Sequence, residues 1–243
     1  RVLTEKLSGD ASARITYGYD TCTNGEGQLC SVTYPGSAAY TYTYTLPGKI
    51  AAEAITIPGL TGAQTTSYIY DTQQNQTKVT TPDGTELITA YSYRNLPTAM
   101  SYKLPGGSTT ALVSGVTYND LGQPLVTTYA NGRVSTNTYD AAQRFRLSAA
   151  TTTAPSGLYL NTWYTWTAAG NLATLAETGT AGLARSVTYS YDDLYRMLSA
   201  TAVDGATSLY THAYTYSPTG NILTRNGVSY TYAAPTTTNP QAV

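Results

Sequence analysis

Charge is scarce in this sequence. Of its 243 residues, 13 are Lys or Arg and 14 are Asp or Glu, so charged side chains make up 11%, where soluble domains carry ~25%. The net charge of −1 and pI near 5.8 leave no electrostatic footprint for nucleic acid or an anionic membrane surface, and the basic residues are scattered rather than striped. No run approaches the ~20 apolar residues of a membrane span. Two cysteines and one histidine make a poor zinc set. Gly-rich phosphate loops are missing. Phenylalanine occurs once. The chain begins at Arg1 rather than at a methionine, and the expectation is a processed product or, preferably, a piece of a larger protein.

What is present is tyrosine, 24 residues of it, with abundant threonine. Both favour a pleated, half-buried surface, and no segment combines helix caps with a 3.6-residue period. The composition predicts an all-β protein.

The tyrosines repeat. Taking the second aromatic of each cluster as an anchor gives Tyr19, Tyr44, Tyr70, Tyr93, Tyr118, Tyr139, Trp166, Tyr191 and Tyr216, spaced by 25, 26, 23, 25, 21, 27, 25 and 25 residues. A tenth, incomplete cluster ends at Tyr232. Most anchors have a partner two residues earlier: Tyr17, Tyr42, Tyr68, Tyr91, Tyr164, Tyr189 and Tyr214. Alternation in a strand puts both rings of such a pair on one face.

Four residues beyond the anchor comes a turn position, occupied by Gly48, Gly122, Gly170 and Gly220. A second run follows and ends at another turn signal, such as PG at 35–36, PDG at 82–84 or NG at 131–132. Each repeat of ~25 residues therefore reads as one β-hairpin, and successive hairpins stack their rings into ladders because none is stable alone. Nine such hairpins predict about 18 strands, and an open sheet of that size has to curl.

The motif Y-x-Y-D-x-x-G-[RKN]-[LI] resembles the tyrosine-aspartate (YD) repeat of rearrangement-hotspot (RHS) proteins. YGYD at 17–20, YIYD at 68–71, TYD at 138–140 and YSYDDLYRML at 189–198 carry the resemblance, with TAAGNL at 167–172 and SPTGNI at 217–222 adding the glycine half. YDTCTNGEGQLCSVTYPG at 19–36 resembles a Cys-bracketed variant repeat, and NPQAV at 239–243 is similar to the segment at which the repeats give way to the family's core.

The resemblance implies a curved or spiralling antiparallel sheet, part of a hollow shell. In bacterial Tc toxin complexes and polymorphic toxins such a shell encloses a C-terminal toxic domain, and related repeats form the shell of animal teneurins. The family's core often carries Asp-Pro motifs and cleaves itself as an aspartyl protease. No Asp-Pro dipeptide occurs here, so the expectation is one array over residues 1–243, without protease or cargo. Its expected partners are other RHS repeats and an encapsulated toxin or effector, with self-association through sheet edges and with glycans as further possibilities. The expected location is extracellular, secreted or at a bacterial cell surface.

Cys22 and Cys30 read as a disulfide pinning an enlarged turn, which suits an oxidising setting, against two free thiols. Asp20, Asp71, Asp140 and Asp192 occupy equivalent positions where a carboxylate accepts turn N–H groups. Calcium there lacks a supporting G-G-x-G-x-D series, so no metal or cofactor is expected. His212 lies in strand alternation with no nucleophile marked nearby, and the adjacent Asp192 and Asp193 point to opposite strand faces. Trp163 and Trp166 offer the alternative of a sugar-stacking adhesion module. The leading expectation is a non-catalytic scaffold.

Overall fold

A computed structural model describes residues 1–6 and 14–232. The NPQAV segment at 239–243 lies outside the described residues. The described chain is all-β, with twenty strands and two single-turn 3-10 segments, Ala141–Gln143 and Thr180–Gly182. It divides into two compact units, Arg1–Val116 and Thr117–Val243.

The first unit is an antiparallel meander of β1 (Thr4–Lys6), β2 (Arg14–Tyr19), β3 (Leu29–Thr33), β4 (Ala39–Tyr44), β5 (Ile50–Thr56), β6 (Gln64–Tyr70), β7 (Gln76–Thr80), β8 (Glu86–Tyr91), β9 (Pro97–Lys103) and, as far as Val116, β10 (Thr109–Tyr118). Each strand pairs with the next in sequence. The second unit repeats the plan with β11 (Pro124–Tyr129), β12 (Val134–Asp140), β13 (Arg146–Ala154), β14 (Gly157–Trp166), β15 (Leu172–Gly179), β16 (Ala184–Tyr191), β17 (Met197–Asp204), β18 (Thr207–Tyr216), β19 (Ile222–Arg225) and β20 (Val228–Ser229). Here too every pairing is antiparallel and sequential.

Packing in both units is lateral, between side chains of neighbouring strands on one face. In the first unit the register lines up Tyr17, Val32, Tyr40 and Ile55 across β2 to β5, and Val32 is buried. In the second, Tyr189 stands opposite Ala200 and Ala200 opposite His212, while Val187 and Tyr210 flank Ala202. Ala200 and Ala202 are buried, the latter completely. Small residues between columns of large ones let the rings close over the backbone. No large side chain among the described residues is fully buried, so stability comes from many half-buried cross-strand pairs, each contributing ~0.2–1 kcal/mol.

The turns after seven of the anchors follow one design. After Tyr70, the Asp71 N–H bonds the Asn75 carbonyl at 3.0 Å and the Gln74 N–H bonds the Asp71 carbonyl at 3.1 Å. This is a three-residue loop, a type I turn followed by a left-handed residue. The left-handed position falls at Gly48, Gln74, Asn95, Gly122, Gly170, Tyr195 and Gly220. Glycine holds four of these seven because it alone adopts positive φ without a Cβ clash.

Candidate functional site

Eight hairpins carry a register shift beside their anchor. Thr43 faces Ala52 but Tyr44 faces Ile50; Ile69 faces Lys78 but Tyr70 faces Gln76; Ser190 faces Ser199 but Tyr191 faces Met197. The same step occurs at Tyr19, Tyr91, Tyr139, Trp166 and Tyr216. One extra residue thus sits in the return strand. Such a bulge interrupts the ladder and leaves backbone groups in need of partners.

The next hairpin supplies the partner. Tyr44 Oη donates to the carbonyl of Leu29 at 2.5 Å, Tyr70 to Ile50 at 2.9 Å and Tyr91 to Gln76 at 3.2 Å. In the second unit Tyr139 donates to Pro124 at 3.1 Å, Tyr191 to Leu172 at 2.9 Å, Tyr216 to Met197 at 2.8 Å and Tyr232 to Ile222 at 2.8 Å. Trp166 uses its indole Nε1–H on the Leu147 carbonyl at 2.9 Å. Leu29, Ile50, Gln76, Leu147, Leu172, Met197 and Ile222 are the residues that face the preceding anchors, Tyr19, Tyr44, Tyr70, Tyr139, Trp166, Tyr191 and Tyr216. Seven of these eight anchor donors therefore cap the bulge made by the anchor before them. Phenylalanine has no such donor.

Tyr93 does not belong to this series. It lies in the turn after Tyr91 and is 86% exposed, so Tyr91 is the anchor of the fourth hairpin. The Ser92 N–H to Leu96 carbonyl bond of 2.9 Å marks the same turn as after Tyr70. The misleading signal was YSY at 91–93, whose second aromatic is one strand step too late. Asn95, with φ of 60°, stands where other repeats place glycine and was the available clue. Tyr118 holds the fifth anchor position, followed by a turn in which the Asn119 N–H bonds the Gln123 carbonyl at 3.0 Å.

At the turns, Asp71 Oδ1 accepts the N–H groups of Gln73 and Asn75 at 2.9 and 2.8 Å. Asp192 Oδ1 does the same for Leu194 and Arg196 at 3.0 and 2.9 Å. Asp140 accepts from Ala142 and Asp20 from Gly27. Ser92, Asn119, Thr45, Thr167 and Ser217 use their side-chain oxygens in the same way. The Asp71 carboxyl is held below the usual range first by the Asn75 side chain and then by backbone N–H groups. At Asp192 desolvation is the largest influence and pushes upward, but the Arg196 and Leu194 hydrogen bonds together outweigh it and the net shift is downward.

Turns are also tied to one another. Arg196 pairs with Asp192 at 2.7 Å, donates to the Ser217 carbonyl at 2.9 Å and lies 4.7 Å from the Tyr216 ring centroid. Gln123 reaches the Phe145 carbonyl at 2.9 Å and Asn75 reaches Asn95 at 2.9 Å. Arg146 stacks 5.7 Å from the Trp166 ring centroid beside Gly170.

Burial raises the phenol pKa at Tyr42, Tyr44, Tyr70, Tyr118, Tyr189, Tyr191 and Tyr216. Tyr68 is pushed up to about 12 by burial and then by its 2.8 Å hydrogen bond to Glu53. Tyr17 is raised chiefly by its 2.9 Å hydrogen bond to Glu5.

The remaining candidates do not converge. His212 stacks on Tyr210 with ring centroids 4.8 Å apart, and Nδ1 lies 2.8 Å from Asn226 Nδ2. Asp193 is exposed while Asp192 is bound into its turn. Trp163 faces Ala149 and Ala176, and strand alternation puts it on the face opposite Tyr164 and Thr162. It shares no platform with the capped Trp166. Among the described residues no group of three or more His, Cys, Asp or Glu is placed to hold a metal ion. Cys22 and Cys30 form a disulfide, with Cα atoms 5.4 Å apart.

Sequential antiparallel hairpins, aromatic donors at the bulges and polar side chains at the turns define a tandem β-hairpin repeat architecture. Neither a protein-family model nor a curated protein matches the sequence. Among solved structures, the chain is similar to TcdB2-TccC3, with a TM-score of 0.75 and 18% identity over 90% of this chain and 13% of that one. It is similar to a Photorhabdus luminescens Tc holotoxin pore at a TM-score of 0.75 and 18% identity, covering 91% of this chain and 13% of that one. A TcdB2-TccC3 structure without its hypervariable C-terminal region matches with a TM-score of 0.65 and 16% identity, over 88% and 14% of the respective chains. The chain thus shares the fold of a short stretch of much longer Tc toxin chains.

Proposed function

We propose that this chain is a non-catalytic wall segment of an RHS/YD-repeat shell, one that encloses a C-terminal toxin or effector within a secreted bacterial protein. The observation that carries the reading is the capped bulge, repeated from hairpin to hairpin in both units. A residue pattern spent on joining each hairpin to the next is that of a wall rather than of a reaction centre. The fold shared with Tc toxin structures over nine-tenths of the chain supports it, and the disulfide fits an oxidising location. Its partners in this reading are further repeats of the same kind and the enclosed domain.

The test is limited proteolysis of the product of the parent reading frame. The segment following the repeats should resist protease while the array is intact, and be digested at the rate of the isolated segment once Tyr191→Asp or Trp166→Asp breaks the array. Equal digestion in the intact and broken proteins would overturn the shell reading. Hydrolase activity abolished by His212→Ala would overturn the non-catalytic part of it.

A further inference from the structure

The first repeat differs from the others at its turn. There the Cys22–Cys30 disulfide closes the loop, and a cleft of about 700 Å³ opens beside it, its walls including Asp20, Cys22, Asn24, Glu26, Leu46 and Pro47. The two sulfurs are unequal. Cys30 is 4% exposed, whereas Cys22 is half-buried and lines the cleft. Cys30 Sγ also accepts the Cys22 N–H at 3.0 Å, a donor that stabilises negative charge on that sulfur.

We propose that this cleft is a site of thiol–disulfide exchange, entered at Cys22 and selective against anionic thiols. An incoming thiolate attacks Cys22 Sγ, the S–S bond breaks, and Cys30 leaves with the electron pair as a thiolate facing the Cys22 N–H. If the reductant is a dithiol, its second thiolate attacks its own sulfur in the mixed disulfide and releases Cys22. The protein gains two electrons and two protons, and the dithiol ends as a disulfide. The selectivity comes from the Asp20 and Glu26 carboxylates on the cleft wall; Arg1 at 2.5 Å offsets the first of them.

Reduction has a defined structural target. The loop grips the second hairpin through the Tyr44 N–H to Thr23 carbonyl bond of 3.0 Å and the Asn24 Nδ2 to Tyr44 carbonyl bond of 2.8 Å. Opening the disulfide frees the loop and loosens the hold on Tyr44. This inference stands apart from the shell reading, and either can fail without the other.

The experiment reduces the intact chain with cysteamine, mercaptoethanol and mercaptoacetate, comparing rates per thiolate. The trapped mixed disulfide is mapped by peptide mass spectrometry, and amide exchange is followed at Tyr44. The adduct is expected on Cys22, with mercaptoacetate several-fold slower than cysteamine. That gap should shrink at high salt and in Glu26→Gln. Tyr44 exchange should rise on reduction, and in a Cys22→Ser/Cys30→Ser double variant, with no change in β14 to β18. An adduct on Cys30, rates indifferent to thiol charge, or unchanged Tyr44 exchange would overturn the proposal.

Discussion

At the residue scale, the phenol O–H and indole N–H of the anchors serve one purpose, to cap a carbonyl beside the bulge of the hairpin before. Tyr191→Phe keeps the ring and removes only the donor to Leu172, so the expected loss is about 1 kcal/mol in urea unfolding, the usual value of such a bond. Trp166→Phe removes both the donor to Leu147 and part of the ring stacked by Arg146 and is expected to cost more. Tyr93→Phe touches an 86% exposed side chain and should stay within about 0.5 kcal/mol of the parent. The recurrence of aromatics was legible in the sequence, but the preference for tyrosine over phenylalanine was not explained by packing alone. Its cause is a backbone acceptor in another hairpin, which the local pattern does not display.

At the scale of the element, the turns combine a fixed hydrogen-bond pattern with a variable residue at the left-handed position. Tyr195 occupies it with φ of 62° and an exposed ring. A left-handed non-glycine residue costs about 1–2 kcal/mol, and glycine returns part of that gain through unfolded-chain entropy, about 0.4–1 kcal/mol. Tyr195→Gly is therefore expected to raise the thermal midpoint. Gly170→Ala should lower it, since φ is 95° and a Cβ would strike the Arg146 guanidinium. The glycine-bearing turns could be read directly from the sequence. Those at Gln74, Asn95 and Tyr195 could be placed only by their distance from an anchor, and Tyr93 shows how a neighbouring aromatic misleads that count. The bulges were invisible because Ala51, Thr77 or Leu198 in the return strand differs in no way from an ordinary strand residue.

At the scale of the whole molecule, the titratable groups predict a stability profile bounded on both sides. Asp71, Asp83 and Asp192 are held below the ordinary carboxylate value. Their contribution is present above about pH 4 and is lost as pH falls through the lowered values. The buried phenols act at the other end. Their contribution is present below about pH 10 and is lost as pH rises through the raised values, last at Tyr68 at about 12. Urea midpoints measured across pH should fall at both extremes, and ultraviolet titration of tyrosinate should trail the free amino acid. The all-β fold and its hairpin order were legible because period, turn residues and strand propensity agreed along the chain. The tie between the first two repeats, where Asn24 meets the Tyr44 backbone, was not, because it depends on where a closed loop comes to rest.

The ladder of donors also has a direction. Leu29 waits for Tyr44, Leu172 for Tyr191 and Ile222 for Tyr232, so each acceptor is made before the group that completes it. During synthesis a hairpin leaves the ribosome unfinished and is sealed by its successor, which gives the polymer a growing end and a settled end. Removing repeats from either side opens a sheet edge. Removal from the C-terminal side also strips the seal from the last hairpin kept, while removal from the N-terminal side leaves every remaining seal in place and idles one anchor donor.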